Sequence, residues 1–116
     1  MAKVWIALQY SREPRLDDDT NLWAHSRLWD LSRTDPEACL SVIIAVVNLD
    51  GSDHILSNLA AGPLEDILGV HGNDVIDEIE HLAGRQPAIR KMIKGVWKNN
   101  IDDEIWRRLQ LLVDRS

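Results

Sequence analysis

Apolar residues recur at intervals of three and four along most of the chain, the spacing typical of amphipathic α-helices. The clearest example begins at Asp74 and ends at Ala83. Its apolar residues fall on a single face: Val75, Ile76, Ile79, Leu82 and Ala83. Short breaks rich in glycine, proline, asparagine or aspartate separate this segment from similar ones on either side. The pattern therefore predicts a chain made of short helices.

Residues that favour helix ends mark the breaks. Asp35-Pro36-Glu37 combines a capping aspartate, a proline at the first helical position and an acidic first turn. Ser52 or Asp53 can cap the next helix, and Pro87 and Asp102 mark later starts. These signals give about seven or eight predicted helices.

The strongest break is the stretch from Leu59 to Gly72, LAAGPLEDILGVHG. We expect Gly62 to end one helix and Pro63 to begin another, because glycine favours helix C-termini and proline favours N-termini. Gly72 then ends the second helix, and Asn73 caps the one that follows. The stretch is predicted to be a joint between two helical hairpins.

Two segments rich in β-branched residues leave the choice between helix and strand open to argument. Between Ala2 and Arg12 helix is favoured, but a short strand over KVWIAL remains an alternative. Val42 to Val47 is apolar on every side, and the Asp-Pro start before it favours a helix. A helix that is apolar all round is buried all round, so this one is predicted to be central. Trp29, on an earlier helix, is also expected to face the core.

Short connections between helices favour antiparallel neighbours. The predicted fold is therefore all-α: stacked antiparallel helical hairpins in a HEAT-like array. At 116 residues the chain is expected to form a single domain, residues 1–116.

The amino-acid composition indicates in which cellular compartment the protein is expected. The only cysteine, Cys39, excludes an intramolecular disulfide and lies in an apolar run, so it is interpreted as a core residue. No stretch approaches the roughly 18 consecutive apolar residues of a membrane span. The N-terminus is too polar for a secretory signal. A cytoplasmic protein without a membrane partner is expected.

The net charge of −6 conceals two unequal parts. Residues 1–84 carry 5 basic and 15 acidic side chains, whereas residues 85–116 carry 8 basic and 4 acidic ones. Their net charges are therefore −10 and +4. Such a division points to a surface with two electrostatic ends, which concerns partners more than fold.

The basic part contains one candidate interaction surface. Arg90, Lys91, Lys94 and Lys98 recur at helical spacing, with Trp97 inward at the edge of the same surface. Arg107 and Arg108 follow on the next helix. An anionic partner, RNA or an acidic protein face, would fit this stripe, although an ordinary solvated helix face has the same pattern.

The acidic part supplies the alternative surface. Its candidate residues are Asp17, Asp18, Asp19, Asp74, Asp77 and Glu78. A dense acidic surface can imitate nucleic acid or cover a basic active site, as small immunity proteins and inhibitors do. Solvated acidic faces are the ordinary explanation for such runs.

Residue patterns for catalysis are weak. Glu78 and His81 have the Glu-x-x-His spacing of di-iron bundles, but such a site needs a second motif and further carboxylates. The serines lack a Gly-x-Ser-x-Gly elbow, and the glycines stand singly. We therefore predict no enzymatic activity, no metal and no cofactor.

Four short motifs resemble those of a family of small bacterial proteins of unknown function. They are Gly62 to Asp66, Ile76 to Glu80, Gly95 to Trp97, and Asp103 to Trp106, within a similarity that runs from Asp35 to Leu112. The chain departs from the family where Ala38-Cys39-Leu40 follows Pro36-Glu37, since an aromatic residue is usual there. The resemblance implies an all-helical fold and assigns no functional residue.

These observations favour a protein–protein interaction domain, in particular an immunity- or inhibitor-type protein of bacterial or phage origin that acts through a charged surface. A nucleic-acid-binding module that uses the basic stripe is the alternative, and an enzyme is the third possibility. The oligomeric state is left open.

Overall fold

The computed structural model of the protein describes residues 2–10 and 19–114, and no β-strand occurs among them. The α-helices in chain order are α1 (Ala2–Tyr10), α2 (Asp19–Thr34), α3 (Pro36–Leu49), α4 (Asp53–Leu59), α5 (Glu65–Arg85), α6 (Pro87–Ile93) and α7 (Asp103–Asp114). A π-helical turn, Ala60–Leu64, joins α4 to α5 without a break. The described residues thus form six continuous helical units, slightly fewer than predicted, and the all-α class is confirmed.

The helix starts that the sequence marks most clearly are confirmed. Asp35 accepts a hydrogen bond from the backbone N–H of Ala38 at 3.1 Å, and Pro36 occupies the first helical position. The Ser52 hydroxyl accepts one from the N–H of Ile55 at 3.5 Å. The Asp102 carboxylate accepts one from the N–H two residues further on, at 2.9 Å. Side-chain acceptors satisfy donors that have no partner inside the helix.

The open choice at the N-terminus is settled in favour of a helix for Ala2–Tyr10, whereas residues 11 and 12 lie outside the described residues. α1 packs against α2, α3 and α4. Its Trp5 is buried, with 2% of its surface exposed. The N-terminal segment is therefore part of the core.

The joint predicted between Leu59 and Gly72 is not a joint between hairpins. Gly62 and Pro63 lie inside the π turn, where Pro63 is buried, so the interpretation of Gly62 as a helix end was wrong. Proline has no N–H to donate, and a π turn is a place where the α-helical bonding pattern is already interrupted. At His71 the backbone departs from helical angles (φ −128°, ψ 32°), so α5 consists of two helical stretches that meet in a kink, close to the helix end predicted at Gly72.

The shared element of the core is α5, which packs against α2, α3, α6 and α7. Its buried side chains continue the cluster that runs from Trp5 to Leu112. The prediction that α3 is buried on every side was wrong. Ala45 is exposed, and Val42 and Ile44 are half-buried, because neighbouring helices cover α3 only in part.

Cys39 lies inside this core with none of its surface exposed. Burial, together with the nearby carboxylates of Asp66 and Asp35, raises the pKa of its thiol to about 12. A thiol with so little thiolate at neutral pH is a poor nucleophile. The interpretation of Cys39 as a core residue therefore agrees with its surroundings.

Trp29 does not face the core as expected. About 47% of its surface is exposed, and the guanidinium of Arg33, one helical turn further on, lies 4.4 Å from the ring centroid. This cation–π contact covers part of an indole that α2 leaves in solvent. None of the described helices is both long and apolar enough to cross a membrane.

Candidate interaction surfaces

The basic stripe predicted along one helix is interrupted, because α6 ends at Ile93. The N–H of Lys94 donates to the carbonyl of Arg90 at 3.3 Å, and the next residue turns the chain away. That residue, Gly95, lies so close to Ala60 that a Cβ added to it would be 3.1 Å from the Ala60 Cβ. Lys98 therefore lies in the loop after the turn, and its predicted place on the helix was wrong.

The two cations on α6 bind neighbouring helices. The Arg90 guanidinium donates to the carbonyl of Ala83 in the last turns of α5. The Lys91 ammonium pairs with the carboxylate of Asp53, the first residue of α4. Both charges thus contribute to contacts inside the molecule, which leaves them less available to an anionic partner.

The arginines on α7 are also engaged. Arg108 donates through Nε to Glu80 Oε2 at 3.1 Å and through Nη2 to Asp77 Oδ1 at 2.6 Å, across to α5. These bonds, first to Glu80 and then to Asp77, raise the pKa of the Arg108 guanidinium. Arg107 donates through Nε to Glu104 Oε2 at 3.1 Å, within the same helix, and this bond lowers the pKa of the Glu104 carboxyl.

Arg108 bonds to another helix whereas Arg107 bonds within its own, and this difference can be tested. Arg108→Gln should lower the thermal midpoint clearly, because it removes charged bonds between α7 and α5 and leaves Asp77 beside Glu80. Arg107→Gln, the matched control, should change it little, since an exposed i, i+3 pair contributes almost nothing. Circular dichroism melts of both variants measure the difference. Equal losses would contradict the cross-helix role of Arg108.

Trp97 is exposed on the loop that follows the turn. About 73% of its surface is exposed. The prediction that it faces inward was therefore wrong. Its position in the loop follows from the early end of α6, since its neighbour Val96 takes the buried place instead, at 5% exposed.

The segment between α6 and α7, residues 94–102, is called the Trp97 loop, and contacts on both sides hold it in place. The N–H of Ile101, whose side chain is buried, donates to the carbonyl of Lys98 at 2.7 Å. Lys98 Nζ lies 2.7 Å from Asp103 Oδ1, and this pair lowers the pKa of the Asp103 carboxyl. The Asn99 side chain donates to the Glu65 carboxylate on α5. Trp97 thus projects from a loop that is fixed at several points.

A groove of about 280 Å³ lies between the first turns of α3 and the second half of α5. Its lining residues are Glu37, Leu40, Ser41, Ile44, Asp74, Val75 and Glu78. Leu40 and Val75 are buried and Ile44 is half-buried, so the floor is apolar. The three acidic side chains give the groove a negative rim. We call it the acidic groove.

Few of these carboxylates are neutralised. Within the described residues, Glu37 and Glu78 form no ion pair, and Asp74 has only the His71 imidazole, with its Oδ2 3.4 Å from Nδ1. The side chain of Asp74 remains 66% exposed. The structure therefore concentrates free negative charge at the groove, in contrast to the paired cations of α6 and α7.

The acidic candidates from the sequence are only partly brought together. Asp74 and Glu78 share the acidic groove, whereas Asp77 faces α7 and pairs with Arg108. Asp17 and Asp18 lie outside the described residues, and Asp19 is the first residue of α2. Glu37 was missed as a site residue. Its position in the first turn of a helix already accounted for its charge, and no sequence pattern shows that α3 faces α5.

Two other surface cavities are less distinctive. One of about 380 Å³ lies at the α5 kink, where Asp74 and Asp102 stand beside the polar side chains of His71, Asn73 and Asn100, and its lining is mostly polar. One of about 350 Å³ between α4 and α6 contains the Lys91–Asp53 pair and Lys94, so it carries charges of both signs.

His71 and His54 contact the backbone of neighbouring helices. His71 Nε2 lies 2.6 Å from the carbonyl of Arg33 near the C-terminus of α2, and His54 Nε2 lies 2.6 Å from that of Gln9 near the end of α1. In residues 2–10 and 19–114 no group of three or more His, Cys, Asp or Glu side chains is arranged to hold a metal ion.

The comparisons with known proteins identify a family, but its function is unknown. The model of a family of unknown function, DUF6869, matches residues 11–116. This match extends further in both directions than the motifs of the sequence resemblance. No curated protein and no solved structure matches the chain.

Proposed function

Because the chain belongs to DUF6869, a family of unknown function, we propose its role from its own surfaces: it binds a basic segment of a partner protein in the acidic groove. In this role it is a non-enzymatic accessory protein of the immunity or inhibitor type, which covers a basic surface of another protein. The observation that carries the proposal is the negative charge of Glu37 and Glu78, unpaired among the described residues, around an apolar floor.

The shape of the groove specifies the partner segment further. A groove between two helices with an apolar floor suits an amphipathic helix, whose apolar face lies inward. Carboxylates on the rim suit lysine or arginine at the edges of that face, and they also speed association by electrostatic steering. An amphipathic helix with basic flanks is therefore a partner segment that fits the groove.

The nucleic-acid alternative has less support. A nucleic acid needs cations that can leave their present positions for phosphates, since phosphate contacts dominate such affinities. Lys91, Lys98 and Arg108 are each paired with carboxylates of the same chain. The net charge of −6 adds repulsion.

A designed peptide tests the proposal. The probe is an amphipathic helix of leucine and lysine, with a leucine–glutamate helix of the same pattern as the negative control. Titration calorimetry of the lysine probe should give a 1:1 affinity that falls with added salt, because exposed charges are screened. Backbone amide shifts in an NMR titration should centre on Ser41 and Val75.

Matched variants locate the binding. Replacing Glu37 and Glu78 together by glutamine should weaken the lysine probe by about 3- to 10-fold and flatten its salt dependence. Replacing Asp103 and Glu104 by their amides removes the same charge on α7 and should leave the affinity close to that of the parent. Equal affinities for the two double variants, or shifts centred away from the groove, would show the proposal to be wrong.

A further inference from the structure

The chain itself carries a segment with the chemistry that the acidic groove requires. Lys94, Trp97 and Lys98 lie within five residues, on the loop where Trp97 is 73% exposed. Within the described residues Lys94 forms no ion pair, and Lys98 holds Asp103, whose side chain is itself 91% exposed. An apolar group between two cations thus stands on the same molecule as an apolar floor between carboxylates.

We propose that the acidic groove of one copy binds the Trp97 loop of a second copy, and that the protein self-associates in this way. The inference rests on the proposed function of the groove and names a second copy of the chain as a partner. The Trp97 side chain would cover the floor at Leu40 and Val75, and Lys94 would face Glu37 and Glu78. The unequal charges of residues 1–84 and 85–116 favour the same pairing of unlike surfaces.

The rigidity of the loop supports this assignment. An exposed tryptophan is a frequent anchor of protein interfaces, and it binds more tightly when its position is fixed beforehand. The Trp97 loop is fixed by the Asn99–Glu65 bond, the Lys98–Asp103 pair and the close approach of Gly95 to Ala60. Little conformational entropy remains for the loop to lose when it enters the groove.

The unlike surfaces make a complementation experiment possible. Trp97→Ala removes the anchor and keeps the groove, whereas the Glu37→Gln/Glu78→Gln double variant keeps the anchor and weakens the groove. Sedimentation velocity of the parent protein over a concentration series should show reversible association. Trp97→Ala alone should associate at least about tenfold more weakly than the parent, and the groove variant alone about 3- to 10-fold more weakly. Their equimolar mixture should regain a dimer, because one intact groove meets one intact loop.

Controls separate loss of folding from loss of the contact. Leu111→Ala also shortens an exposed apolar side chain, 48% exposed on α7, and should associate like the parent. Circular dichroism melts should show Trp97→Ala to be as stable as the parent. A parent that stays monomeric throughout the series, or a mixture of variants that associates no better than its components, would overturn the inference.

The two proposals fail in different ways. The lysine probe is added to the Trp97→Ala variant, whose groove is intact. If this variant binds the probe while the parent remains monomeric, the groove binds basic segments but not the Trp97 loop, and only the self-association is wrong. If neither binding occurs, both proposals are wrong.

Discussion

Leu64→Ala is expected to lower the free energy of unfolding by about 2–5 kcal/mol, the range for truncating a fully buried leucine. Leu64 is the last residue of the π turn, and none of its surface is exposed. A joint between hairpins at the surface would tolerate the change. The structure instead places this turn in the core, so the lost apolar contacts and the cavity both destabilise the protein.

Chemical denaturation at 25 °C measures this loss, and Leu111→Ala provides the matched control. Leu111 is 48% exposed on α7, so its truncation should change the free energy of unfolding by no more than about 0.5 kcal/mol. Similar losses for Leu64→Ala and Leu111→Ala would mean that the π turn is not buried as described.

Gly72→Leu is the second change with a large expected effect, a loss of about 1–3 kcal/mol from forced repacking. A Cβ at this position would lie 3.2 Å from Ile105 Cγ1 on α7, before the rest of the leucine is added. The gain in helix propensity, about 0.8–1 kcal/mol, opposes the loss without cancelling it. Gly72 thus permits the close approach of α5 and α7.

Gly84→Leu is the control, because Gly84 is exposed near the end of the same helix and a Cβ there meets nothing within 4 Å. It should stabilise the protein slightly through propensity alone. Ile105→Ala in the Gly72→Leu background should recover part of the loss, since it vacates the space that the leucine needs. Denaturation curves that order Gly72→Leu and Gly84→Leu the other way would contradict the close packing at Gly72.

The sequence predicted those features of the fold that depend only on residues close together in the chain. The starts at Asp35, Ser52 and Asp102 followed from capping chemistry, which acts over two or three residues. Burial of Cys39 followed from the apolar run around it. The same local rules misread Gly62 and Pro63, because tertiary burial favours a continuous helical run where glycine and proline alone favour a break.

The candidate site could not be predicted from the sequence, because it depends on contacts between residues far apart in the chain. Arg108 binds Glu80, 28 residues away, and Lys91 binds Asp53 on another helix, so helical spacing alone overstated the free positive charge. The position of Gly95 was the one local signal that α6 ends early, since glycine is unfavourable in a helix interior. Asp74 and Glu78 were visible as an acidic pair, but their meeting with Glu37 required the fold.

The π turn also explains how residues spaced four apart can all face the core. Buried pairs recur every four residues along the run from α4 to α5: Ile55 and Leu56, Leu59 and Ala60, Pro63 and Leu64, Ile67 and Leu68. A regular α-helix advances about 100° per residue, so each four-residue repeat rotates about 40° too far, or about 120° over three repeats. A π turn accommodates one extra residue and cancels most of that drift, which keeps all four pairs facing the core. A strict four-residue period is thus a sequence signature of this turn.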